Sequence, residues 1–456
     1  MDERTRRLLT APIGPTLLRM AAPNVLVMLV QASIGLIETY FIAQLGTDAL
    51  AGMALVFPVV MMVQMISAGA MGGGIMSAVS RTLGAGRRVE ADALVWHATL
   101  IALLLGAATT VAALVAGPAL YAALGGREGS LAAALTYSNT VFLGILFMWL
   151  FNSLAAVIRG TGNMMFPAAV MVIGAVILIP LSRLLIFGGG PVPALGIVGG
   201  AIAFVLYYVA GTAACIAYLW AGRTMLRPTP LPPALHWAPA GMILKVGVIS
   251  SLVSVTTNVT IAFATGFAGT YGPAAVAGYG TGARLEYLLV PLVFGLGSPM
   301  GALVGTAIGA GDRRRALRIA WTGALIAGLL TEAIGIAAAL RPEAWLRLFG
   351  DDPAMIETGS LYLRIVGPFY GAFGLGLALY FAAQGAGRVG WPLIGGLLRV
   401  AVAVGGGLVA LRTGAGLAGV FLALGIALLV FPAVTAGSIL LGGWAPERRA
   451  RPSPAE

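Results

Sequence analysis

In the first long apolar run of this 456-residue chain, one side chain carries an acid, Glu38. It sits about two-thirds of the way along a run from 17 to 45, between Ile37 and the Phe41–Ile42 pair. A carboxylate near a bilayer interior costs roughly 2.5–3.5 kcal/mol on insertion scales, so an acid retained at that depth is a candidate for ion exchange. Asn24, Gln31 and Glu38 recur every seven residues, and Met28, Gly35 and Ile42 fill the positions four further on. One stripe of the helix is therefore polar or small, and such a stripe faces protein rather than lipid. The competing reading is a carboxylate paired locally or snorkelling to the outer interface. Pro23 begins the stripe and removes a backbone donor, which favours a bend. Asn24, Gln31 and Glu38 are read together as one candidate functional set on this helix.

A second charged place is Arg284 and Glu286, well inside the eighth run. Residues two apart point to different sides of a helix, so each needs a partner on another helix or a wet cavity. Arg183 lies close enough to a span end to snorkel, and Glu332, Arg364 and Arg399 read as structural charges. Softer features suggest a substrate cavity. Thr257 and Asn258 belong to a seventh run too polar to face lipid, Met61, Gln64 and Met65 to the second, and Tyr370 to the tenth. Methionines and aromatics make adaptable walls, though they also pack ordinary membrane cores. No P-loop, GxSxG, HExxH or CxxC is present, and His97 and His236 have no ligand-like company in sequence. Cys215 is the only cysteine, so no internal disulfide or cysteine metal site can form. No cofactor, resident metal or enzymatic chemistry is expected.

The elements that must position these residues are membrane helices. The chain is 59% hydrophobic and 9% charged, whereas soluble domains carry about a quarter charged residues. Runs of spanning length fall near 17–45, 49–80, 93–122, 131–158, 165–188, 194–221, 242–269, 274–308, 316–340, 356–383, 391–411 and 415–442. A lipid-exposed backbone must satisfy its own hydrogen bonds, and no barrel-like alternation appears, so the fold class is all-α and polytopic with twelve spans. The net charge of +11 could suggest nucleic acid, but its placement says otherwise. Arg4, Arg6, Arg7, Arg81, Arg87, Arg88, Arg223, Arg227, Arg313, Arg314, Arg315, Arg318, Arg448, Arg449 and Arg451 fall in alternate connections. The intervening loops hold only Arg127, Arg341, Arg347 and Arg412. By the positive-inside rule both termini are cytoplasmic in a bacterial-type inner membrane, and no nucleic acid is implied.

The halves are related. Gly84-Ala85-Gly86 matches Gly309-Ala310-Gly311 at a shift of 225 residues, which also pairs Gly125 with Gly350, Tyr137 with Tyr362, Gly160 with Gly385 and Pro167 with Pro392. Matched loops lie on the same expected side, so the two six-helix repeats are parallel. The expected units are an N-terminal lobe over 1–222, a Pro-rich linker over 223–241, a C-terminal lobe over 242–442 and a tail over 443–456. Glycines such as Gly69 and Gly73, or Gly297, Gly301 and Gly305, let helix backbones approach closely.

Pro23 followed by Ile37-Glu38-Thr39-Tyr40-Phe41, the paired Gly-Ala-Gly loops, Arg159-Gly160-Thr161-Gly162 and Leu195-Gly196-Ile197-Val198-Gly199-Gly200-Ala201 resemble the multidrug and toxic compound extrusion (MATE) family. The similarity covers essentially the whole chain. It implies a V-shaped, monomeric antiporter in the lipid bilayer, exporting cationic or amphipathic compounds in exchange for H⁺ or Na⁺. The family's first-span acid falls on Glu38. The Asn and Asp that some members carry in the fifth span fall on Leu178 and Ser182, a seventh-span Glu near Thr257 and a tenth-span Asp near Phe373, so the resemblance favours proton coupling at Glu38 with Gln31 and Asn24, Na⁺ at Glu38 being the other reading. Two other readings stand beside this one. A lipid-linked-oligosaccharide flippase of the wider superfamily would need a large basic cavity, and a membrane-embedded transferase a polar cluster at one membrane face.

Overall fold

The computed structural model describes residues 3–222, 224–234 and 236–444. Arg223 and the tail from 445, with Arg448, Arg449 and Arg451, lie outside the described residues. A short helix α1 (Glu3–Thr10) precedes α2 (Ile13–Ala43), which runs unbroken through Pro23. The second span is α3 (Thr47–Gln64), a π-helical segment (Met65–Met71) and α4 (Gly72–Gly84). Then come α5 (Arg88–Ala123), α6 (Glu128–Leu143), α7 (Ile145–Gly160), α8 (Met165–Phe187) and α9 (Ile197–Trp220). The second half holds α10 (Trp237–Gly269), α11 (Pro273–Gly309), α12 (Arg313–Leu340), the short α13 (Pro342–Leu346), α14 (Pro353–Val366), α15 (Tyr370–Ala386), α16 (Gly390–Thr413) and α17 (Gly416–Leu440). Eleven of these stretches are long and apolar enough to cross a membrane, and α6 with α7, bent by 46° at Gly144, makes twelve. Among the described residues the only β pairing is an isolated bridge between Gly189 and Val192.

Two helices trade lobes along their length. The first turns of α2, through Leu17 and Ala21, pack into a core made by α11, α12 and α15. Further along, Ile34 packs with Ala175, Leu178 and Ala203 of the first half. The second half mirrors this: Ile243 at the start of α10 joins the first-half core, while Phe267 and Ala268 at its end join the second. The halves thus meet at the end carrying the Arg81, Arg87, Arg88 and Arg313–Arg315 connections.

Glycine makes that meeting possible. A Cβ on Gly84 would overlap the Thr306 carbonyl, one on Gly309 the Arg81 carbonyl, and one on Gly305 the Ser80 hydroxyl. Without Cβ atoms the helices approach backbone to backbone, which is how membrane helices gain packing when no hydrophobic effect separates them from lipid. Toward the other end, Gly52 packs on Ala133 and Ala134, and Gly278 on Met355 and Gly359, each within its own half. Close contact therefore lies across the halves at one end, where these glycines form a seam, and inside each half at the other. The linker is pinned to α5: the Arg227 amide donates to Asp92 Oδ1 at 2.7 Å, and Trp96 Nε1 donates to the Thr229 carbonyl at 3.0 Å. The two histidines meet here, the His236 amide donating to His97 Nε2 at 3.2 Å, so they hold the linker.

Candidate functional site

The α2 stripe faces inward along its length. Asn24 is buried, and its Nδ2 reaches the Gly295 carbonyl of the other half at 3.5 Å. Gln31 and Glu38 are half-buried. The Glu38 Oε1 atom is buried and has no hydrogen-bond partner, while the carboxylate lies close enough to Tyr137, Tyr207 and Tyr208 to interact electrostatically with each. One turn earlier Ile34 anchors the helix on α8 and α9, which fixes where the carboxyl is presented.

The tyrosines lead from Glu38 to a polar network in the first half. Tyr208 OH donates to Gln64 Oε1 at 3.3 Å, and Asn152 Nδ2 donates to the same oxygen at 3.2 Å. Asn152 Nδ2 also reaches Ser67 Oγ at 2.5 Å. Ser67 belongs to the π segment, whose extra residue per turn shifts the helix register and often marks a functional position. Sequence reasoning singled out Gln64 but missed Asn152, Ser67 and Tyr208. The available signal was an Asn and a Tyr-Tyr pair within otherwise apolar spans.

A second polar group lies inside the other half. Glu286 Oε1 pairs with Arg399 Nη2 at 3.3 Å, and its Oε2 accepts from Tyr362 OH at 3.1 Å. Arg399 also stands over the Phe373 ring at 5.7 Å, and Tyr370 is fully buried in the same core. Arg284 takes no part. It is exposed and stands over the Phe349 ring at 5.2 Å, so the two residues chosen together point to different surroundings. The partner that sequence reasoning did not assign to Glu286 is Arg399, more than a hundred residues away.

The suggested cavity residues do not converge on one chamber. Gln64 belongs to the first-half network and Tyr370 to the second-half core. Met61 and Met65 are exposed on the second span. Asn258 is also exposed and donates to the Ser254 carbonyl of its own helix at 3.0 Å, while Thr257 turns back to the Val253 carbonyl at 3.5 Å. Leu178 packs against Ile34, and the Ser182 hydroxyl is buried without a partner. Among the described residues no three His, Cys, Asp or Glu side chains cluster as a metal site would require.

Between the halves, Gln384 Nε2 lies within hydrogen-bond distance of three oxygens. These are the Gly69 carbonyl in the π segment at 3.2 Å, Ser250 Oγ of α10 at 3.0 Å and Tyr380 OH at 3.3 Å. Ser77 Oγ donates to the Gly385 carbonyl at 3.0 Å. The clasp therefore holds α15 and α10 to the same helix whose earlier turns carry the Glu38 network.

Comparison with known proteins bears on this geometry. The MatE family model matches residues 23–184 and 250–409. The sequence is 29% identical over 378 residues to a FAD transporter of Shewanella oneidensis, covering 82% of each chain. It is 30% identical over 409 residues to a probable multidrug resistance protein NorM of Deinococcus radiodurans, covering 83% of this chain and 84% of that one. Among solved structures, a MATE transporter in the bent conformation superposes with a TM-score of 0.89 at 24% identity, covering 97% of this chain and 98% of the other. A MOP superfamily transporter from Pyrococcus furiosus gives 0.88 at 24% identity, covering 98% and 100%. These structural likenesses speak for the fold.

Proposed function

The chain belongs to the MatE family and is a multi-pass membrane transporter rather than an enzyme, and from that premise we propose that it exports amphipathic or cationic organic molecules in exchange for protons. The observation that carries the coupling is the Glu38 carboxyl. It has one oxygen buried without a hydrogen-bond partner, acts electrostatically on three tyrosines, and among the described residues belongs to no group of three His, Cys, Asp or Glu side chains that could cage a cation. A single carboxyl in such a place suits one-proton exchange better than Na⁺ coordination, which calls for several oxygen ligands. Protonation from outside removes the counter-charge for a cationic cargo and favours its release. Loss of that proton to the cytoplasm restores the charge and readies the site for the next molecule. The basic loops are assigned to the cytoplasm by the positive-inside rule, in a bacterial plasma membrane, so the seam closes the cytoplasmic side.

Purified protein in sealed vesicles tests this. Export of a cationic dye is expected under an imposed pH gradient and absent under a sodium gradient alone. Transport driven only by sodium would reject proton coupling. A second reading, flavin-nucleotide export, is favoured by the likeness to the Shewanella FAD transporter. Loading the same vesicles with FAD separates the two cargoes.

A further inference from the structure

Arg159, the last but one residue of α7, is a cation without a counter-charge. Its side chain makes no hydrogen bond or ion pair among the described residues. It is also deep. A Cβ on Gly72 would stand 3.8 Å from Arg159 Nη2, and Gly72 lies twelve residues before the end of α4 at Gly84, about 18 Å along a helix axis. The side chain is half-buried, and whatever part of a charge bulk water does not reach at that depth is expensive unless something neutralises it.

The guanidinium borders a small cavity between the halves. Gly69, Gly72 and Met76 line one side, and Phe294, Ser298 and Gln384 line the other. Gln384 follows Arg159 by the repeat shift of 225 residues, so the two repeats bring equivalent positions to the same cavity. Only one of them is charged. Ser298 is buried, and among the described residues the only acceptors its hydroxyl finds are two thioether sulfurs, Met76 Sδ at 3.7 Å and Met164 Sδ at 3.9 Å. Sulfur is a weak acceptor, so a buried O–H donor remains largely unspent beside the unpaired cation. The cavity leaves about 10 Å³ for the centre of a small particle, room for one and no more. That is too little for a phosphate-bearing or aromatic cargo and suits a monatomic ion.

We propose that this cavity is a binding site for one small inorganic monoanion of the halide class, with its charge answered by Arg159 from the first half and its hydrogen bond supplied by Ser298 from the second. The ion completes the seam. Because its partners come from opposite halves, it binds when the halves are closed at this level and leaves when they part, so halide stabilises the closed-seam state.

The test uses the full-length protein purified in detergent. Chloride or bromide is exchanged against gluconate at constant ionic strength, gluconate being too large for the cavity. Wild type is expected to show a saturable rise in melting temperature with either halide and none with gluconate. Arg159→Gln should lose the halide response, Ser298→Ala should need several-fold more halide, and Arg284→Gln, whose side chain is exposed elsewhere, should respond as wild type. Bromide-soaked crystals of the wild-type protein should give an anomalous peak between Arg159 and Ser298, a result that needs no variant to fold. Identical melting in all three salts, a full halide response from Arg159→Gln, or bromide density only at other places overturns the proposal. Stabilisation by FAD through Arg159 with no response to halide also overturns it, and makes the site a cargo contact instead.

Discussion

At the scale of single residues, Glu38 and Glu286 sit at membrane depth in different company, and their substitutions should fail in different ways. Glu38 has a buried oxygen without a hydrogen-bond partner, so Glu38→Gln keeps shape and polarity while abolishing proton exchange. It should insert at wild-type levels yet export nothing against a gradient, whereas Glu38→Asp keeps partial activity. Dye efflux at fixed pH gradient, read beside membrane expression, decides the matter, and wild-type efflux from Glu38→Gln would remove this residue from the mechanism. Glu286 instead pairs with Arg399 and accepts from Tyr362. Glu286→Gln strands a buried guanidinium and should destabilise the fold by about 3–5 kcal/mol. Joining it to Arg399→Met should recover most of the loss in thermal unfolding, since the two act as one unit. Arg284→Gln, exposed over Phe349, should change stability little. Glu38 and the Asn24–Gln31–Glu38 stripe were legible because a helix period of seven keeps side chains on one face. The Glu286–Arg399 pair was not, because contact between residues 113 apart is fixed by which helices pack and leaves no trace in local spacing.

At the scale of elements, the π segment and the glycine seam belong to one continuous span. The Glu38 network ends on Ser67 within the π segment, and Gly69, two residues on, lends its carbonyl to Gln384 of the other half. The helix then continues as α4 into the seam, where Gly84 meets Thr306. A register shift in the π turn would rotate α4 and separate backbones that close only because no Cβ intervenes. Gln384→Leu removes the clasp while keeping most of the side-chain volume, and Gly305→Leu wedges the seam against Ser80. Both should fold, and both should raise the rate at which a thiol reagent labels Ser80→Cys by several-fold. The background is low because Cys215, the only native cysteine, is buried. Unchanged labelling in both variants would show that the seam does not depend on this clasp. Sequence could mark the glycines as close-packing positions, but a π turn leaves no compositional signature, so the register shift stayed invisible until the helix was seen.

At the scale of the whole molecule, the alternation of basic and nearly uncharged loops and the repeat at a shift of 225 residues made the twelve spans and the two halves readable, with ends displaced by a few residues. The exchange of partners by α2 and α10 was not readable, since a helix that packs on one half at its start and the other at its end is apolar throughout. That exchange matters for topology. Leu17 of α2 lies in the second-half core, and Ile243 of α10 lies in the first-half core. A common side is fixed by the contact of Gly84 with Thr306 and of Gly309 with Arg81, which brings the ends of α4 and α11 together, as parallel repeats do and inverted repeats do not. Arg315 adds a constraint, because its Nη2 donates to the carbonyls of Leu8 at 3.0 Å and Ala11 at 2.6 Å. The α1 end and the α11–α12 connection must therefore share a side. Reporter fusions after Arg88 and Arg315 should both score cytoplasmic, and fusions after Gly126 and Asp352 both periplasmic, as the basic residues demand. If the fusions after Arg88 and Arg315 scored on opposite sides, the repeats would have to be inverted, and a seam joining Gly84 to Thr306 and Gly309 to Arg81 could not exist in the membrane.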